Sequence, residues 1–217
     1  NYPVDIDTLN EEFKTVEQIE INRVRQYHIE VVKDYVITEF PITLYINNHK
    51  YVTLLITPTN IKELVYGYMK SEKLIHHYKD VVKCVMDLEN FRVDVRIVGE
   101  IDDTDQSKDR LLTSGCGVGT RFHEELDSLM VEAVQSDYSI THEDIVNASR
   151  DLNNESGLFR LTGGVHSCLF INKFYQYYVE DIGRHNAVDK VVGHVLIEDI
   201  DPSQSFIISS GRISSDM

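Results

Sequence analysis

The chain has 217 residues, 42% of them hydrophobic, enough to bury a core without disulfide staples. Thirty-six acidic residues against 21 Lys plus Arg give a formal charge of −15, a field that repels polyanions and argues against nucleic acid or an anionic membrane as partner. Three cysteines suit neither a disulfide framework nor a paired Cys-x-x-Cys zinc site, and no apolar run approaches the ~18 residues of a membrane span. The opening NYPVDIDTLNEEF is acidic and lacks the basic-then-apolar pattern of a secretory signal, so free thiols in a reducing cytoplasm are expected.

In chain order, residues 23–56 are rich in Val, Ile, Thr and Tyr, and ITLYINNHKYVTLLIT predicts a hairpin about Asn47-Asn48. PTNIKELVYGYMKSEKLI follows, with Asn60 and Glu63 spaced as a start signal and apolar residues at 61, 64, 65, 68 and 69, which predicts an amphipathic helix. VVKCVMDLENFRVDVRIVG predicts a second hairpin that turns at residues 87–90. EIDDTDQSKD is acidic, has no apolar residue after Ile101, and reads as an exposed linker. The boundary is placed there, between an α+β unit over 1–105 and a core over 106–217. Beyond it, FHEELDSLMVEAV and THEDIVNASRDL predict two helices, the second capped by Thr141. HSCLFINKFYQYYVEDI predicts two strands about Asn172-Lys173, and SFIISSG a short strand ending at Gly211. RHNAVDKVVGHVLIED carries a helical stripe at 187, 188, 191, 192, 195 and 196. The alternation favours a layered α/β core.

Three stretches have the residue types for chemistry. In EDIGRHNAVDK a strand ends at Ile182, Gly183 turns, and Arg184, His185 and Asn186 fall on the first turn of a helix. Free N–H groups, a partial positive charge and a bidentate guanidinium suit a phosphate or carboxylate. The competing reading is a helix start whose Asn and Asp bond neighbouring backbone, and the pattern leaves the two level. In LTGGVHSC, Gly163 and Gly164 permit positive φ or close approach to a ligand, and His166 could be a base or metal ligand; the pattern slightly favours a turn feeding a strand, with His166 a hydrogen-bonded core residue. In LLTSGCGVGT, Cys116 lies among Gly115, Gly117 and Gly119 before a helix start near Arg121, a setting that lowers a thiol pKa, although a cysteine tolerating a tight turn fits as well. Cys84 and Cys168 read as small buried hydrophobes. RFHEELD has Asp127 where a zinc motif needs a second histidine, so no metal site is expected.

Taken in order, TSGCGVGT, LTGGVHSC, VEDIGRHNAVDKVVG and SSGRISSDM resemble the formate dehydrogenase accessory sulfurtransferase family, FdhD, and EFPITLYINNHKYVTLLITPTNIKELVYGYMKSEKLI resembles its N-terminal part. The resemblance implies a cytidine-deaminase-like α/β core with a smaller N-terminal α+β subdomain, and a homodimer. It implies a sulfurtransferase in which a cysteine desulfurase loads a persulfide on Cys116. The sulfur then passes to the Mo/W-bis(molybdopterin guanine dinucleotide) cofactor on which formate dehydrogenase depends. That cofactor is held transiently, with no permanent cofactor or metal, by Gly163, Gly164, His166, Gly183, Arg184, His185, Asn186, Gly211 and Arg212, and GDP is an implied ligand.

Two departures stand out. The family's loop reads Cys-x-x-Cys, whereas Gly119 stands at the second position, so Cys116 acts alone or borrows Cys168. The family also continues past SGRISSDM through another strand, a helix and a Gly- and Arg-containing segment, so the chain is expected to be a shortened form whose site is only partly mapped. The alternative is a non-catalytic chaperone that holds the guanine dinucleotide cofactor and docks on apo formate dehydrogenase, with Cys116 structural. A deaminase-type zinc hydrolase is excluded by its ligands: Ser167-Cys168 follows His166 in place of x-Glu, and no later Pro-Cys-x-x-Cys appears.

Overall fold

A computed structural model describes residues 3–9, 13–99, 111–112 and 136–213. The chain is a mixed α/β protein. Its larger sheet has six strands: β1 (Val4–Asp5), β4 (Phe40–Ile46), β5 (His49–Ile56), β6 (Val81–Asp87), β7 (Arg92–Ile97) and β8 (Leu111–Leu112), in the order β1-β6-β7-β4-β5-β8. The β4–β5 and β6–β7 hairpins are antiparallel, while β4–β7 and β5–β8 are parallel. Both expected hairpins are present. Asn47 and Asn48 have φ of 49° and 73°, the two positive values that a tight turn matching strand twist demands and that Asn tolerates. At residues 87–90, the Asp87 carboxylate accepts from the Glu89 and Asn90 N–H groups and closes the turn.

Period-2 alternation turns Ile42, Leu44 and Ile46 of β4 to one side, where they join Val52, Leu54 and Ile56 of β5. Helix α1 (Ile61–Ser71) covers that side with Ile61, Leu64, Val65 and Met69. The expected start signal differs in form. Asn60 sits in the left-handed region at φ 50° and makes no side-chain cap; its amide nitrogen donates instead to the Tyr177 hydroxyl at 3.0 Å. A tertiary partner has taken the group that local spacing assigned to the cap.

The C-terminal part builds a three-stranded antiparallel sheet, β10-β9-β11, from β9 (His166–Asn172), β10 (Gln176–Asp181) and β11 (Ser205–Ser209). Helix α4 (Arg184–Ile197) packs Ala187, Val188 and Val191 on Cys168, Phe170 and Val179 of one face. Helices α2 (His142–Glu155) and α3 (Gly157–Thr162) lie on the other face, where the Tyr178 hydroxyl joins Ser156 and Ser167. Thr141 caps α2 as expected: its hydroxyl accepts from the Asp144 N–H, and the Asp144 carboxylate accepts from the Thr141 hydroxyl and N–H, bonds that hold the Asp144 pKa below its ordinary value. A separate ribbon of β2 (Val16–Arg25) and β3 (His28–Ile37), not distinguished in the sequence, touches α3.

Helices α1 and α4 lie between the two sheets and against each other at backbone distance. A Cβ on Gly67 would stand 1.7 Å from the Asp189 carbonyl oxygen, and one on Gly193 would stand 1.8 Å from that of Glu63. Hydrogen is the only side chain that fits at either crossing point. The boundary expected at 105/106 and the helix expected over FHEELDSLMVEAV lie outside the described residues.

Because backbone atoms cannot give way as a side chain tip can, Gly67→Ala or Gly193→Ala should cost about 3 kcal/mol or more in stability. Urea unfolding followed by circular dichroism measures this, with an exposed change such as Lys79→Ala as the neutral control.

Candidate functional site

Strand register brings three separated motifs to one end of the smaller sheet. β9 begins at His166 directly opposite Asp181, the last residue of β10, and β11 ends at Ser209 opposite Cys168. The turns at 163–165, 182–184 and 210–212 therefore meet at that end. Ser210 extends the pairing by one step, accepting from the Ser167 N–H through its hydroxyl and donating its own N–H to the Ser167 carbonyl.

The meeting is close. A Cβ on Gly211 would lie 2.8 Å from Cβ of Arg184, 3.5 Å from its Cδ and 3.2 Å from Nδ1 of His166. Gly211 thus leaves room for the arginine and histidine to lie side by side, both half-buried. Nε of Arg184 is buried and has no hydrogen-bond partner among the described residues. A guanidinium held with an unspent donor beside an imidazole is a fitting receptor for an oxyanion.

Gly163 has φ 65° and ends α3 as a left-handed cap, its N–H bonded to the Phe159 carbonyl at 2.7 Å. Gly164 needs no special φ; a side chain there would press on Ile37 of the ribbon at 3.1 Å. The helix that carries this turn is held by Glu180, whose two carboxylate oxygens accept from the Leu158 and Phe159 N–H groups, each at 2.9 Å. His185 is half-buried on the first turn of α4, and Arg212 is exposed beyond Gly211.

Asn186 has a different use from the one its motif suggested. Its amide nitrogen donates to the Leu55 carbonyl at 2.9 Å and to Asp181 at 2.8 Å, so it ties the helix start to the end of β5. Gly183 allows this, because a Cβ there would meet that nitrogen at 2.7 Å. Cys116 lies outside the described residues, as do Gly115, Gly117, Gly119 and Arg121. Cys168 does not offer itself as a substitute thiol: it is fully buried in β9, and burial pushes its pKa up to about 12. Cys84 is likewise buried and raised to about 12.

Beneath the turns lies a polar core that sequence reading missed. Nζ of Lys190 meets Asp181 at 2.7 Å with both side chains at 0% exposure. It also donates to the carbonyls of Thr57 and Glu180 and to the Thr59 hydroxyl, all at 3.0–3.1 Å. Asp181 in turn accepts from the N–H groups of Thr57 and Gly183 and from Asn186. Burial pulls the Lys190 pKa below its ordinary value, and Asp181 opposes that pull. The available signal was a lysine within the apolar stripe of α4, at i+4 from Asn186; its partners at 57 and 59 could not be read from the stripe.

The ammonium and carboxylate are out of water, so losing one leaves the other uncompensated. Lys190→Met should lower stability by about 3–5 kcal/mol. Adding Asp181→Asn should recover part of that loss, which a double-mutant cycle on denaturant unfolding would read.

Residues 37–217 match the sequence profile of the FdhD/NarQ family. The sulfur carrier protein FdhD of Bacillus subtilis is 35% identical over 198 residues, covering 90% of this chain and 75% of the relative. That of Bacillus licheniformis is 34% identical over 188 residues, covering 85% of this chain and 71% of the relative. Among solved structures, a Desulfotalea psychrophila chain described as a formate dehydrogenase accessory protein superposes with a TM-score of 0.70 at 20% identity, covering 94% of this chain and 76% of that one, a likeness of fold. With the motif turns gathered at one sheet end, and with relatives this similar over most of both lengths, the chain belongs to the FdhD/NarQ family.

Proposed function

We propose that this chain is a sulfurtransferase that carries sulfur on Cys116 from a cysteine desulfurase to the Mo/W-bis(molybdopterin guanine dinucleotide) cofactor required by formate dehydrogenase. The observation that carries this reading is the convergence of His166, Arg184 and Gly211, drawn from three separate motifs, around one guanidinium nitrogen that has no partner among the described residues. A guanine dinucleotide presents a diphosphate, which suits Arg184 and the start of α4. The names of the relatives, sulfur carrier protein FdhD, support the same role.

Loading balances as an exchange between a thiolate and a persulfide. The Cys116 thiolate attacks the outer sulfur of the desulfurase persulfide, the S–S bond there breaks, and the desulfurase cysteine leaves as a thiolate. The sulfur is then held as a Cys116 persulfide with no net oxidation, ready for delivery to the cofactor as cargo. The path of the chain favours this. β8 runs parallel to β5 with Leu112 beside Leu54, so it is directed toward Thr57, which bonds Asp181. In sequence, Cys116 follows Leu112 by four residues. A cytidine-deaminase-like layering of the core, a cytoplasmic homodimer and transient rather than permanent cofactor binding belong to the same proposal. Among the described residues no helix is long and apolar enough to cross a membrane.

One feature favours a second reading, a chaperone that binds the cofactor without carrying sulfur. Gly119 replaces the second loop cysteine, and Cys168 is buried, so Cys116 has no resolving thiol from either position.

Intact-mass measurement after incubation with a desulfurase and cysteine separates the two. The carrier gains one sulfur, about 32 Da, and Cys116→Ala gains none; a parent chain that never gains mass is the chaperone. For the anion site, calorimetry with GDP should show Arg184→Ala binding about ten- to a hundredfold more weakly, from the loss of charged hydrogen bonds. Equal affinity in the two proteins would remove the arginine from the site.

A further inference from the structure

We propose that Thr57, at the end of β5, is a positioning residue for the Arg184 anion site, acting through the 181–183 turn. The proposal rests on the anion-binding reading of Arg184. Thr57 comes from the N-terminal half, more than a hundred residues from the motifs that form the turn, and its side chain is fully buried.

Two of the three polar groups of Thr57 bond the turn itself, and the third bonds Lys190 of α4. The Thr57 N–H donates to Asp181 at 3.1 Å, its hydroxyl accepts from the Ile182 N–H at 3.0 Å, and its carbonyl accepts from Lys190 at 3.1 Å. The hydroxyl bond is the one made by a side chain, and it falls on the residue just before Gly183, the cap of α4. On the far side of the cap, Asn186 reaches back to the Leu55 carbonyl. Leu55 of β5 and Thr57 just beyond it therefore hold the segment at Ile182 and at Asn186, and Arg184 lies midway between the two anchors.

The tolerance at Arg184 is small. Its Cβ and Cδ lie against Gly211, where even one added carbon would stand at 2.8 Å. A turn freed at Ile182 can rotate the start of α4, and a rotation there moves the guanidinium relative to His166. The electrostatics point the same way. Asp181 puts a carboxylate under a site meant for an anion, and the Thr57 carbonyl helps to hold Lys190 against it, so the site meets a neutralised pair rather than a bare negative charge.

Two substitutions separate the hydrogen bond from the packing. Thr57→Val keeps the volume and loses the hydroxyl; Thr57→Ser keeps the hydroxyl and loses the methyl. GDP affinity by calorimetry and thermal midpoint are read on the full chain for both, beside Arg184→Ala. The expected result is that Thr57→Val binds GDP about three- to tenfold more weakly, while Thr57→Ser stays close to the parent although its midpoint also falls. A role in stability alone would lower both midpoints and leave both affinities at the parent value. If Arg184→Ala weakens GDP and Thr57→Val does not, the positioning role is overturned while the anion site stands. If Arg184→Ala binds GDP like the parent, the anion site falls and the positioning role with it. Should Thr57→Val fail to fold, Thr57→Ala against Thr57→Ser makes the same comparison at equal loss of the methyl group.

Discussion

The buried ion pair between Lys190 and Asp181 is the interaction on which the rest of the molecule depends. Two opposite charges at 0% exposure are tolerable only when every remaining donor and acceptor is met, and here the partners come from both halves of the chain. Thr57 and Thr59 leave β5, Glu180 and Asp181 end β10, and Lys190 stands on the second turn of α4. An ionic core of this kind discriminates among packings, because a slipped register would strand a charge where an apolar core would merely repack. The pair therefore fixes how the three-stranded sheet meets the six-stranded one.

Gly67 and Gly193 make that meeting possible. With carbonyls of one helix filling the places of Cβ atoms on the other, α1 and α4 approach closely enough for the end of β5 to reach the 181–183 turn. Glu180 and Asp181 then divide the work on opposite faces of β10. Glu180 holds α3, and with it the Gly163-Gly164 turn, while Asp181 holds the turn before Arg184. Adjacent acidic residues thereby set two backbone segments of one site, and the alternation of a strand is what sends them to opposite sides. On a protein of formal charge −15, the proposed anion site draws on local donors, Arg184 and the start of α4.

Much of this was legible in local pattern. The Asn47-Asn48 hairpin, the Thr141 cap, the strands about Asn172-Lys173 and the apolar stripe of α4 each depend on neighbours within a few residues, so the sequence carries them directly. The site motifs were legible as strings, and their convergence on one sheet end follows from antiparallel register. What escaped depends on contacts far apart in the chain. Asn60 left its expected cap for Tyr177, and the Asn186 amide nitrogen bonds Leu55 and Asp181, partners that its own motif does not name. The roles of Thr57, Glu180 and Lys190 exist only once β5, β10 and α4 have been brought together. The β2–β3 ribbon was missed for another reason: Val24, Ile29 and Val31 are apolar yet exposed, so its alternation marks no buried face.

In the proposed mechanism a carrier thiol and an anion site serve one end of the fold. Since Cys84 and Cys168 are buried, a nitroxide reagent applied to the native chain is directed to Cys116. Proton NMR of the histidine side chains then compares His166 and His185, at the site, with His49, which begins β5 at its opposite end. A thiol carried at the Arg184 end should broaden the His166 and His185 signals and leave His49 sharp. A broadened His49 beside sharp His166 and His185 signals would put the thiol at the wrong end of the sheet and contradict the proposed mechanism.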